Sequence, residues 1–168
     1  MNRDMGRSLR AEATGSLAEG TIRAVLLGRG YAEIRPEALH APYVEQTPLF
    51  GSRTLAPRPK RIFITQHLIA RSIYDSPLMT DFWLDGVPSF PNGLALEVKW
   101  QQSTGSVDEK FPYLVLNIKT CYPCPAIIIA DGGGQRPGAL QWLRGQTDPS
   151  LLAVLSLSEF VAWANRSL

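Results

Sequence analysis

The sequence predicts an α/β fold: a mixed central sheet flanked by helices on both faces. Three observations lead there. Segments with apolar residues at helical spacing alternate with short runs rich in β-branched and aromatic residues. One run, Pro125 to Ala130, is apolar without alternation, the pattern of a strand buried on both faces. The length of 168 residues, 45% of them hydrophobic, suits one domain with a substantial core.

Residues 1–14 read as a polar, mobile lead-in, and 15–168 as a single domain. Ser16 and Glu19 form a capping-box pattern at the start of a helix. Leu17, Ile22, Val25, Leu26 and Leu27 supply its apolar stripe, and Gly28 and Gly30 stop it. Residues 35–60 carry five prolines and read as a long connection without regular elements. Strands are expected at Ile62 to Ile69, Thr80 to Leu84 and Gly93 to Gln101, with a proline-glycine loop between the second and third. A helix follows from Ser106 to Lys119, with Ser106 as its cap and Pro112 as an expected kink. The strand at 125–130, a short helix from Gly138 to Arg144, a strand from Leu151 to Leu155 and a helix from Ser158 to Asn165 complete the chain. Trp142, Phe160 and Trp163 fall at helical spacing and read as core.

Several function classes drop out. No apolar run approaches about 18 residues, so no membrane partner is expected. Met1 to Thr14 shows no secretory pattern, and the expected location is cytoplasmic. Cys121 and Cys124 have the spacing of half a zinc site, but no second pair exists, so both read as core-edge residues. Gly132 to Gly134 lacks the lysine and hydroxyl of a phosphate loop. Two scattered histidines give triad chemistry nothing to rest on.

One constellation carries chemistry. Asp81 lies on one expected strand, and Glu97 and Lys99 on the next. Side chains two apart on a strand share a face, so Glu97, Lys99 and Gln101 point together while Leu96 and Val98 point away. A carboxylate and an ammonium on an apolar strand need a reason, because burying either alone costs several kcal/mol or shifts its pKa. A divalent cation supplies one: two carboxylates and a main-chain carbonyl make part of the oxygen shell that Mg²⁺ uses. A lysine beside that shell can orient water or stabilise charge on phosphorus oxygens. Asp85 competes with Asp81 for the role, but Gly86 beside it marks a turn.

Thr80-Asp81-Phe-Trp-Leu84, then a turn, then Leu96-Glu97-Val-Lys99-Trp-Gln101-Gln102 resembles the PD-(D/E)XK nuclease superfamily. Thr80 stands where that family usually has proline. The resemblance implies a restriction-endonuclease-like αβββαβ core and cleavage of phosphodiester bonds with Mg²⁺, for which Mn²⁺ can substitute. It implies Asp81 and Glu97 as metal ligands and Lys99 as catalytic, with Glu19 on the first helix as a further ligand and Gln101 or Gln102 as a site residue. The expected protein is a DNA endonuclease of restriction, homing or phage/repair type. Cutting both strands at one site needs two active sites, so a homodimer or higher symmetric homo-oligomer is expected. The alternatives are a catalytically inactive DNA-binding or assembly module on the same fold, and an ordinary enzyme in which Glu97 and Lys99 merely pair.

The formal net charge of +2 says little, but its placement says more. No acidic residue occurs between Gln46 and Tyr74, a stretch that holds Arg53, Arg58, Lys60, Arg61, Arg71 and His67. A proline-punctuated basic arm suits phosphate contacts, and Gln66 and His67 suit base edges. Lys110, at the start of the helix after the third strand, is a further candidate for the DNA backbone. The N–H groups of that helix start, at Ser106, are a candidate phosphate cradle.

Overall fold

The computed structural model describes residues 17–39, 57–102 and 106–168 in full, and 44–46 and 53–55 by their backbone. The lead-in and the Ser16 cap lie outside the described residues. In chain order the elements are α1 (17–28), β1 (Ala32–Glu33), a 3₁₀ turn (Pro36–Leu39), β2 (Val44–Gln46), β3 (Arg53–Leu55), β4 (Ile62–Arg71), β5 (Pro77–Asp85), β6 (Leu94–Trp100), α2 (Val107–Cys121), β7 (Ala126–Asp131), α3 (Pro137–Arg144), β8 (Leu151–Leu155) and α4 (Leu157–Ser167). The αβββαβ core expected from the sequence is α1–β4–β5–β6–α2–β7. The short elements within 36–55 correct the expectation of an irregular connection.

Among the described residues the main sheet has six strands in the order β1-β4-β5-β6-β7-β8, and β2 and β3 form a separate two-stranded sheet. The pairs β4–β5 and β5–β6 are antiparallel, while β1–β4, β6–β7 and β7–β8 are parallel. Consecutive hairpins bring β4, β5 and β6 together, and α2 is the crossover that returns the chain to a parallel β7.

The faces sort by odd and even positions. Phe82, Leu84, Leu94, Leu96, Ile127 and Ile129 pack against Ile22 and Leu26 of α1 and Phe160 and Ala164 of α4. Ala95, Ala126, Ile128 and Ala130 pack against Phe111, Leu114, Val115 and Ile118 of α2 and Leu143 of α3. β7 contributes to both cores, which explains its unbroken apolar run. Glu97 and Lys99 share the parity of Ala95 and therefore face the α2 side.

Local chemistry sets the helix ends. Ala18, Ile22 and Leu26, four apart, form the buried seam of α1, whereas Leu17 and Leu27 are exposed, against expectation. Gly28 stays helical, and Gly30, at φ +81°, ends the helix; the N–H groups of Gly30 and Tyr31 donate to Leu27 and Leu26 O in a Schellman arrangement. α2 runs through Pro112; its apolar face against the sheet outweighs one missing backbone bond. Ser106 makes no side-chain cap. α4 starts earlier than expected because Ser156 and Glu159 form a reciprocal capping box. Phe160 is buried as read, but Trp142 is exposed, since the short α3 turns Leu143 inward instead. No described helix is long and apolar enough to cross a membrane.

After β7 the chain turns at Gly132, where φ is +105° and an added Cβ would lie 2.5 Å from Gln101 O. This close approach lets Gly134 N donate to Gln101 O (2.7 Å), tying the end of β6 to the loop after β7. Gly132→Ala combines a left-handed backbone with a backbone clash. It should lower unfolding free energy by at least about 2 kcal/mol, read from a urea melt.

Candidate active site

β5 and β6 pair only at Phe82–Leu96, Trp83–Ala95 and Leu84–Leu94. Beyond Phe82 the ladder opens, and side chains take over its hydrogen bonds. Thr80, fully buried, donates from Oγ1 to Leu96 O (3.3 Å) and Phe82 O (3.2 Å). The Val98 N–H donates to Asp81 Oδ2 at 2.7 Å. A carboxylate thus fills the fork between two strands, where a backbone carbonyl would otherwise lie.

Glu97 and Lys99 meet it from β6. Lys99 Nζ lies 2.8 Å from Glu97 Oε2 and 3.2 Å from Asp81 Oδ2, and it also donates to Val98 O at 3.3 Å. Glu97 is 3% exposed, so its charge depends on these partners rather than on water. Burial is the largest single influence on the Lys99 ammonium and pulls its pKa down. The charges and hydrogen bonds of Glu97 and Asp81 together outweigh burial and hold the pKa above the ordinary lysine value. Glu19, exposed on α1, has its carboxyl raised by burial and then by the negative charge of Asp81, with Arg23 and Lys99 opposing. It therefore sits within electrostatic reach of the fork. Asp85 instead accepts from Gly86 N in the following turn.

Two residues at the fork have roles that sequence reading did not give them. Tyr122, the residue that ends α2, donates its hydroxyl to Glu97 Oε1 at 2.6 Å. Its pKa is raised strongly, by burial first and then by Glu97. Gln66 donates its amide to Asp81 Oδ1 at 3.2 Å. Gln66 has φ +48° in the middle of β4, and this local twist interrupts the face alternation. The His67 ring consequently rests 5.2 Å from Trp83, half-buried, its pKa lowered by burial and its Nδ1 without a partner.

The structure does not gather the other expected residues at the fork. β6 ends at Trp100, so alternation no longer orients Gln101. Its amide donates instead to Gly134 O at 3.1 Å, and Gln135 donates to Lys99 O at 3.0 Å from the same loop. Gln102 is exposed beyond the strand. Arg61 does not belong to a free basic arm: its guanidinium donates to Arg29 O and Leu168 O and lies over the Tyr31 ring. Arg58 and Lys60 are exposed, with Arg58 donating to Ala38 O. The side chain of Arg53 lies outside the described residues. Lys110 is exposed on the first turn of α2. In that turn Asp108 is buried and accepts from the backbone N–H and guanidinium of Arg136. Cys121 is half-buried and Cys124 is buried, the latter's thiol pushed up to about 11 chiefly by burial.

The donor chemistry fits a hard divalent cation. Asp81 and Glu97 offer oxygens on either side of the lysine, and Val98 O lies beside them. Among the described residues no group of three or more His, Cys, Asp or Glu side chains is close enough to hold a metal by itself. A cation here would rely on water and substrate oxygens for the remaining positions, as Mg²⁺ commonly does.

The chain matches the model of the PD-(D/E)XK nuclease superfamily domain over residues 10–168. It belongs to that superfamily, and its fold is restriction-endonuclease-like. Members are in general nucleases, usually with divalent metals, and the family implies a DNA substrate. No curated protein and no solved structure matches the chain.

If Lys99 neutralises the fork, Lys99→Met should destabilise the metal-free protein. Removing one partner of a buried pair costs about 3 kcal/mol or more, whereas an exposed lysine costs almost nothing. Urea denaturation in EDTA at neutral pH separates the two.

Proposed function

We propose that this protein is a Mg²⁺-dependent DNA endonuclease, with Mn²⁺ able to substitute, and that it acts as a homodimer or higher symmetric oligomer. The single observation that supports the reading best is the Asp81 carboxylate in the β5–β6 fork, sharing Lys99 with Glu97. In this reading Asp81 and Glu97 hold the cation, and Glu19 contributes through an intervening water. The bound cation supplies Lewis-acid polarisation of the phosphodiester and lowers the pKa of attacking water.

The remaining work falls to the chain's own groups. Lys99, held between the two carboxylates, places positive charge where phosphate oxygens gain negative charge in the transition state. The Val98 N–H keeps Asp81 in a single orientation, so the carboxylate does not have to reorganise during the reaction. Gln101 and Gln135 brace the end of β6 against the Gly132 loop, which fixes the backbone of Lys99. Arg58, which also donates to Ala38 O, Lys60 and Lys110 on α2 are exposed cations suited to the DNA backbone. Arg61 is left out of that set because it is part-buried, its guanidinium held by Arg29 O, Leu168 O and the Tyr31 ring. Gln66 is engaged with Asp81, and His67 lies against Trp83, so neither is assigned to base edges.

Supercoiled plasmid tests the activity. Nicking or linearisation with Mg²⁺, abolished by EDTA and by Asp81→Asn, is expected. Lys99→Met, checked as folded, should lower the rate by roughly 10²–10³ with DNA affinity nearly unchanged. DNA binding without cleavage in any metal would instead identify an inactive binding module.

The basic contacts have their own signature. Replacing Arg58 and Lys60 with alanine should reduce the salt dependence of DNA binding by roughly one unit of slope each. Arg61→Ala should act mainly on thermal stability. Fluorescence anisotropy across a salt series, beside a thermal melt, distinguishes these outcomes.

A further inference from the structure

Each carboxylate in the fork has its two oxygens in different settings. Asp81 Oδ2 meets Val98 N and Lys99, while Oδ1 accepts from the Gln66 amide. Glu97 Oε2 meets Lys99, while Oε1 accepts from the Tyr122 hydroxyl. The two outer donors are neutral and come from opposite sides, one from β4 and one from the end of α2. Neither belongs to the sequence motif.

We propose that Gln66 and Tyr122 are a pair of positioning residues that hold Asp81 Oδ1 and Glu97 Oε1 and so fix the orientation of both carboxylates around the shared cation. The inference rests on the nuclease reading and adds the residues that orient its ligands. Two features set these contacts apart from incidental hydrogen bonds. Gln66 adopts φ +48° within a strand, a conformation that a non-glycine residue holds only when its surroundings require it. Its exposed side chain buries little that could compensate, and its one bond to another side chain ends on Asp81. Tyr122 brings a hydroxyl to an oxygen of a carboxylate that is 3% exposed, where water could not readily replace it.

A carboxylate free to rotate loses entropy when it binds a metal, and one with a misplaced oxygen must first break other bonds. Partners that hold ligating side chains commonly govern metal affinity by 10–100-fold. Tyr122→Phe keeps the ring and deletes only the donor. Gln66→Gly deletes the amide and also relieves the left-handed backbone. The two variants therefore separate positioning from general stability. A residue serving the fold alone would move the thermal midpoint and the metal affinity in the same direction.

The test is calorimetric titration of the wild type, Tyr122→Phe and Gln66→Gly with Mn²⁺, beside thermal melts and steady-state cleavage. Mn²⁺ binding should weaken about ten-fold or more in each variant. The melting midpoint of Gln66→Gly should be maintained or raised. In cleavage kcat should fall while KM for DNA stays near the wild-type value. Folded variants that bind Mn²⁺ within two-fold of wild type would overturn the positioning role and leave the nuclease reading intact. A wild-type protein that takes up no Mn²⁺ would overturn both.

Discussion

The bond between the Val98 N–H and Asp81 Oδ2 is the contact from which the rest of the site can be derived. An antiparallel pair whose ladder ends inside the sheet leaves backbone donors and acceptors that need partners. Thr80 and Asp81 supply them with side chains, so β5 and β6 diverge without exposing unsatisfied groups. The divergence makes room, and the carboxylate that permits it stands at the mouth of the opening. Thr80 occupies the position at which relatives commonly have proline. A proline ring could not donate to Leu96 O, so this chain stabilises the fork with a hydroxyl instead.

Electrostatics follows from that placement. Asp81 at the fork and Glu97 beside it would repel across a short distance if nothing lay between them. Lys99 bridges them, and α2 shields the same face, so the charges act at lower effective dielectric than on an open surface. Lysine balances the two carboxylates in the protein alone. Glu19 senses the negative charge of Asp81 from α1.

Much of this was legible in the sequence, and the reasons for the gaps are physical. Period-two alternation placed Glu97 and Lys99 on one face because β6 is regular between Leu94 and Trp100. The same rule failed for Gln101, one residue past the strand, where Gly132 rather than the pleat directs the side chain. Gln66 and His67 read as base-edge contacts, but the left-handed Gln66, which glutamine's own preferences do not announce, lies against Asp81 and leaves the His67 ring against Trp83. Tyr122 lies 25 residues from Glu97 and meets it only through the crossover of α2, so no local spacing encodes the contact. Arg61 read as part of a basic arm because linear charge does not show that its guanidinium reaches back to Arg29 and Leu168. The apolar run of β7 had a single interpretation, since no surface strand tolerates it.

The proposed divalent cation would lie between Asp81 and Glu97, and anomalous diffraction from Mn²⁺-soaked crystals measures that position directly. A single peak within about 2.0–2.6 Å of an oxygen of each carboxylate, with Lys99 beside it, is the predicted result. A structure with both carboxylates in place and the anomalous density absent there, or bound at other residues, would contradict it.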